Sequence, residues 1–126
     1  ELCERLNFGS ALITADVINK EEINNLQNIS KSVLEYYLDC DKIHGRAVVR
    51  SRSDGHFIAL ASRKCTKSLK KLFNELAIPP EKRNCVAVFS DDKGVFLVEG
   101  AGISRDVTVD KNTKKVMRIR IERQDV

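Results

Sequence analysis

Residues 65–80, CTKSLKKLFNELAIPP, restrict the fold more than any other stretch. Leu69, Leu72, Phe73 and Leu76 recur at i, i+3, i+4 and i+7, which lines one side of a helix. At about 100° per residue, Lys67, Lys70 and Lys71 fall on the opposite side. Thr66 is the expected N-cap, because its hydroxyl can accept from an otherwise orphaned backbone N–H. Ile78-Pro79-Pro80 ends the helix, since the residue before a proline is pushed out of the α region. Pro80 can open a second short turn through Glu81, Lys82 and Arg83.

The other apolar runs read as strands. ALITADVI (11–18), VLEYYLD (33–39) and AVVRSR (47–52) are separated by an Asn-rich stretch, expected as loop or short helix, and by a turn at Gly45. Arg50 and Arg52 sit two apart on one face. CVAVFS (85–90), DDKG (91–94) and VFLVEG (95–100) form a hairpin, with Gly94 available for a left-handed position. DVTVD (106–110) alternates and is expected as a strand, KNT as a turn, and KKVMRIRIER (114–123) as the last strand. There Met117, Ile119 and Ile121 face one way, Arg118 and Arg120 the other. Strands around one or two helices make an α+β domain.

The 126 residues, 42% apolar and 32% charged, suit a folded soluble chain with a real core. No window approaches the roughly 18 apolar residues of a membrane span, so no membrane partner is expected. The opening ELCERLN lacks an initiator methionine and is expected to be an internal boundary of a longer protein. Cys3, Cys40, Cys65 and Cys85 show no C-x-x-C pair, which argues against zinc. Four reduced thiols in a cytosolic protein are expected, with three disulfide pairings arithmetically open. Charge is uneven: residues 1–42 carry four basic and eight acidic side chains, residues 43–126 eighteen and ten. The later part is thus +8, which suggests either an anionic partner such as nucleic acid or a well-solvated surface.

No catalytic or metal site is legible. There is no G-x-x-x-x-G-K-[ST] loop, and Gly100-Ala101-Gly102 reads as a strand end. His44 and His56, in turn-like settings, lack a partnered nucleophile. Asp91-Asp92 in DDKG reads as a solvated turn rather than a carboxylate pair. The basic cluster Arg63, Lys64, Lys67, Lys70 and Lys71 remains, at a helix start where backbone N–H groups also attract phosphate. Arg50, Arg52, Arg118 and Arg120 are candidates to extend it. With few aromatics interleaved, contacts to the backbone of an A-form stem fit better than base stacking. The alternative is that the lysines are the wet side of an amphipathic helix.

Taken together, LEYYLDCDKIHG, AVVRSR, Gly55, TKSLKKLFNELAIPPEKRN, VAVFSDDKGVFLVEGAGISR and TKKVMRIRI resemble the C-terminal region of bacterial tRNA(Ile)-lysidine synthetase, over about residues 33–121. That resemblance implies a small sandwich-like arrangement of mixed and antiparallel sheets, similar to part of the phenylalanyl-tRNA synthetase β subunit. It implies that residues 33–126 form a C-terminal tRNA-binding domain. Residues 1–32 are then either the end of a preceding segment or the N-terminal part of the module. The full-length protein would be a cytoplasmic ligase using ATP and magnesium to join lysine to the wobble cytidine of a minor isoleucine tRNA. Its adenylating S-G-G-x-D-S type motif lies in an N-terminal domain and does not occur in this chain, so the fragment is expected to bind no cofactor and not to be catalytic by itself. Gripping of the tRNA acceptor stem carries over onto Thr66, Lys67, Lys70 and Lys71, with Arg83 after the prolines and Arg105 after the hairpin. Two departures stand out: Gly55-His56-Phe57 where the family commonly has Gly-Asp-Arg, and Cys65 where it often has glycine. The competing function is a structural module that packs on its catalytic domain or on a second copy, as a homodimer, without touching RNA.

Overall fold

A computed structural model describes residues 3–21, 33–51, 57–61 and 66–123. Among them the chain forms, in order, β1 (Cys3–Phe8), β2 (Ala11–Asn19), β3 (Val33–Asp39), β4 (Val48–Arg50), β5 (Phe57–Ile58), β6 (Lys67–Ser68), α1 (Leu69–Glu75), β7 (Val88–Asp91), β8 (Gly94–Val98), β9 (Gly102–Ile103) and β10 (Lys115–Arg123). Short 3₁₀ helices cover Cys40–Lys42, Pro80–Cys85 and Arg105–Val107. The class is α+β with small antiparallel sheets, as expected. No described helix is long and apolar enough to cross a membrane. The chain divides into two compact units, Glu1–Lys42 with Val107–Val126, and Ile43–Asp106.

The first unit is built on one antiparallel sheet in the order β1-β2-β10-β3. β10 pairs with β2 along its length, Ile121 opposite Ile13, and with β3 on its other side, Ile121 opposite Leu34. Opposed residues share a sheet face, so Ile13, Ile119, Ile121 and Leu38, all buried, lie together. The opposite face carries Arg118 across from Asp16 and Arg120 across from Glu35. This is the alternation the sequence displays. At one end of the sheet Asp39, only 5% exposed, accepts from the Thr113 hydroxyl at 2.8 Å and from the Asp41 N–H at 3.0 Å. A buried carboxylate without such donors would be costly.

DVTVD (106–110) is not a strand. Its polar groups are bound by side chains instead of a ladder: Lys42 Nζ donates to the Thr108 carbonyl at 2.8 Å, and the Ser104 hydroxyl accepts from the Asp106 N–H at 3.1 Å. The expected turn at KNT does form, with the Asp110 side chain accepting from the Asn112 N–H at 2.9 Å. The Asn-rich stretch lies mostly outside the described residues.

The second unit has a sheet in the order β4-β7-β8-β9 and a two-stranded pair, β5-β6. β7 and β8 make the expected hairpin, Asp91 opposite Gly94 at φ 135, a backbone state open to glycine. The core is Ile58, Leu60, Leu69, Leu72, Phe73, Val88 and Val98, with Ile78 and Val86 packed against it.

The helix departs from expectation at its start. Residues 67–68 pair with β5, which holds Ser68 extended at φ −69, ψ 152. Ser68, not Thr66, is the N-cap, its hydroxyl accepting from the Lys71 N–H at 3.2 Å. Lys67 therefore lies in a strand, and α1 is only seven residues long. Leu69, Leu72 and Phe73 are buried as the stripe requires, but Leu76, the C-cap, is 36% exposed. The chain leaves α1 through Ala77 at φ 56, with Ile78 N–H donating to the Phe73 carbonyl and Ala77 N–H to the Asn74 carbonyl, both at 3.1 Å. That pair of bonds is the Schellman closure of a helix. Pro80 then opens the second short helix as expected.

Candidate nucleic-acid interface

The chain's positive charge belongs to one unit. Ile43–Asp106 holds twelve basic and seven acidic side chains, +5, whereas the other unit holds ten and eleven, −1. Within the positive unit the folding of residues 66–76 sorts the lysines. Lys70 and Lys71 lie on the outer side of α1, both exposed, because the buried side is taken by Leu69, Leu72 and Phe73. Among the described residues neither has an ion-pair partner. Lys67, in β6, differs: its ammonium is bound to the Glu75 carboxylate at the far end of α1, and its side chain is 25% exposed. Its charge is therefore offset locally. The seven-residue helix also offers less to an anion at its N-terminus than expected, since the Ser68 hydroxyl already takes the Lys71 N–H.

The remaining expected residues are dispersed. Thr66 is exposed just before β6. Arg83 is half-buried and engaged in the fold: Nε donates to the Ile78 carbonyl at 2.9 Å and an outer nitrogen to the Asn74 side chain at 2.8 Å, tying the 3₁₀ helix to the end of α1. Arg105 is exposed, and its N–H donates to the Ala59 carbonyl at 2.8 Å. It thus stands one residue beyond β5, whose partner strand leads into α1. Arg50 is exposed on β4, an edge of the larger sheet, and β9, which leads to Arg105, is the other. Three strand spacings, about 14 Å, separate those edges. Arg52, Arg63 and Lys64 lie outside the described residues, as do His56 and Cys65.

Arg118 and Arg120, candidates to widen a basic surface, have carboxylate partners. Arg118 grips Asp16 with two nitrogens, Nε at 3.0 Å, and Arg120 Nε lies 3.0 Å from Glu35. Asp16 raises the Arg118 guanidinium's pKa, and burial together with the Glu35 hydrogen bond raises that of the Tyr37 phenol. The cross-strand register produces these pairs, and it is invisible in the segment KKVMRIRIER alone.

The hairpin carboxylate Asp91 and the Cys40 thiol have structural roles. Asp91 accepts from the His44 N–H at 2.8 Å and from the Lys93 N–H at 2.9 Å, so it organises the hairpin tip. Cys40 is a free thiol, and partial burial followed by Asp41 and Asp39 pushes it up, away from reactivity. Phe57 stands out in the sequence only as part of a departure from the family's Gly-Asp-Arg, with no role assigned to it. It is 56% exposed, while its neighbour Ile58 is buried in the core. Two-residue alternation was the available signal, and only the pairing of β5 with β6 decides which residue points out.

Among solved structures, the fold is similar to a crystal structure of a TilS C-terminal domain, at a TM-score of 0.79 with 18% identity, covering 98% of this chain and 92% of that one. An N-terminal fragment of the phenylalanyl-tRNA synthetase β subunit from Pyrococcus horikoshii is similar at 0.60 and 17%, covering 72% of this chain and 28% of that one. In sequence, the tRNA(Ile)-lysidine synthase of Clostridium tetani is 31% identical over 120 residues, 93% of this chain and 26% of that protein. The tRNA(Ile)-lysidine synthase of Caldanaerobacter subterraneus subsp. tengcongensis is 35% identical over 98 residues, 78% of this chain and 21% of that protein. The chain thus spans about a quarter of the length of such relatives. The family model described as TilS substrate C-terminal domain matches residues 47–121, which takes in β4 to β9 and most of β10, and the chain belongs to that family.

Proposed function

We propose that this chain is the tRNA-gripping module of a tRNA(Ile)-lysidine synthase. In this reading it holds the acceptor stem of a minor isoleucine tRNA while an N-terminal domain, using ATP and magnesium, joins lysine to the wobble cytidine in the cytoplasm. The observation that carries it is the placement of Lys70 and Lys71, exposed and unpaired among the described residues, on the unit that holds the net positive charge. Lysines so placed neutralise stem phosphates and release condensed counterions, which supplies affinity without reading sequence. The A-form backbone suits this mode, because its deep major groove admits few side chains. Arg105, beside β5, and Arg50, on β4, add contacts farther along the backbone. Lys67 and Arg83 serve chiefly to hold α1 and its exit in place. The sheet that β1 and β2 share with β10 supports taking residues 1–32 as the N-terminal part of the module.

Binding of this chain to a minor isoleucine tRNA and to an unrelated tRNA, across 50–200 mM salt, tests the reading. A log–log slope equivalent to several contacts, at about 0.7–0.9 each, is expected. Replacing Lys70 and Lys71 together with alanine should lower that slope by about 1.5 and leave the melting temperature unchanged, since both side chains are exposed. Unchanged affinity and slope in the double variant would refute the role of α1. Absence of salt-dependent binding by the parent chain would refute RNA gripping as a whole.

A further inference from the structure

We propose that Phe57 is a base-stacking residue, receiving an unpaired nucleobase at the end of the RNA stem whose phosphates Lys70 and Lys71 hold. This rests on the RNA-binding reading above and adds a second kind of contact to it. β5 has two residues: Ile58, 2% exposed, enters the core, and alternation turns Phe57 outward, 56% exposed. Phe57 is opposite Ser68, so the two side chains share a face with Cβ atoms about 5 Å apart. Ser68 is the residue whose hydroxyl caps α1 through the Lys71 N–H. The ring therefore stands at the start of the helix that carries the two unpaired lysines. Among the described residues it has no ring partner; the aromatic pair there is Phe89 with Phe96.

An exposed ring at the start of a helix that carries two exposed lysines suits RNA better than protein, because lysines are depleted from the cores of protein interfaces. In nucleic acid the combination has a standard use: cations follow the backbone while an aromatic face takes a base. Within an A-form stem every π-face is already stacked, so the base must come from a stem end or a single strand adjoining it. The stacked ligand is therefore a nucleobase at a duplex–single-strand junction. Sequence tolerance follows, since every base offers a π-face.

The test uses two RNA hairpins with the same stem, one blunt and one with a four-nucleotide 3′ extension, titrated against this chain by fluorescence anisotropy. A stack of this kind is worth roughly 5- to 150-fold in affinity. The extended hairpin should bind about tenfold tighter than the blunt one. Phe57→Ala and Phe57→Leu should both bring the two hairpins to within twofold of each other, Phe57→Trp should keep the difference, and none should change the salt slope. Equal binding of both hairpins by the parent chain, with a slope still sensitive to Lys70 and Lys71, overturns the stacking and leaves the phosphate-gripping reading in place. A preference that survives in Phe57→Ala or Phe57→Leu also overturns it. Binding of neither hairpin overturns both proposals. A Phe57→Ala variant that lowers the oligomeric state while RNA binding is untouched assigns the ring to a protein contact and overturns it too.

Discussion

Ala77 adopts φ 56, the positive-φ residue other than glycine among those described. It occupies the position after the C-cap Leu76, where the two closing bonds to Phe73 and Asn74 leave no other backbone solution. For an L-residue this conformation costs about 1–2 kcal/mol, because Cβ crowds the following carbonyl. Ala77→Gly relieves that crowding, but the unfolded chain then gains freedom worth about 0.4–1 kcal/mol. The net expectation is a stabilisation of about 0.5–1 kcal/mol. With a urea m-value of about 2 kcal/mol per molar, the midpoint should rise by about 0.3–0.5 M at constant m. Urea titration followed by far-UV circular dichroism reads this directly, and Ala77→Val, β-branched at the same φ, should move the midpoint the other way. RNA affinity should not change in either variant, since Ala77 carries no charge. A midpoint that falls in Ala77→Gly would refute the reasoning, for it would mean that alanine stands there without strain.

Two further outcomes are expected. The hydrogen bond from Lys42, at 2.8 Å, and the turn N–H of Asn112 hold the Asp110 carboxyl down at about 2, below its ordinary 3.8. A depressed folded-state pKa gives stability that is present above about pH 4 and is lost as pH falls toward 2. Melting temperatures taken between pH 2 and 5 should therefore drop on acidification, and Lys42→Met should flatten that part of the profile. Glu75→Gln releases Lys67, in β6, from its partner at the end of α1, so under the RNA reading the salt slope should steepen by just under one contact. An unchanged slope would leave Lys67 outside the interface.

Several elements were legible because their signal is local. β2 and β3 are runs of seven to nine residues rich in apolar, β-branched or aromatic side chains, and β10 sets Met117, Ile119 and Ile121 against Arg118 and Arg120, all properties of the segment itself. The start of α1 was not, because Thr66 and Ser68 are both good caps and the choice is made by pairing of Lys67–Ser68 with Phe57–Ile58, ten residues away in sequence. DVTVD shows the reverse case, a pattern that alternates while Lys42, sixty-six residues earlier, claims its carbonyl. β1 was missed because its apolar residues, Cys3, Leu6 and Phe8, do not keep a two-residue spacing, and it becomes a strand through register with β2. The site was legible to the same degree. The lysines near 70 are visible as a charge run, but which of them is spent on Glu75 depends on a strand-to-helix junction. The exposure of Phe57 depends on the same junction.

The position of β10 has a consequence for how the chain is made. Its partners β2 and β3 lie in the first 39 residues, whereas β10 begins at residue 115, beyond the whole Ile43–Asp106 unit. That unit is continuous and can fold as it emerges from the ribosome. At about 5–20 residues per second, the 64 residues from Ile43 to Asp106 take roughly 3–13 s to synthesise. Throughout that interval β2 and β3 each present an unpaired edge, the state in which nascent sheets stick to one another. Substitutions that weaken β10 should thus show first as lost soluble yield and chaperone dependence, before any change in what the finished protein binds.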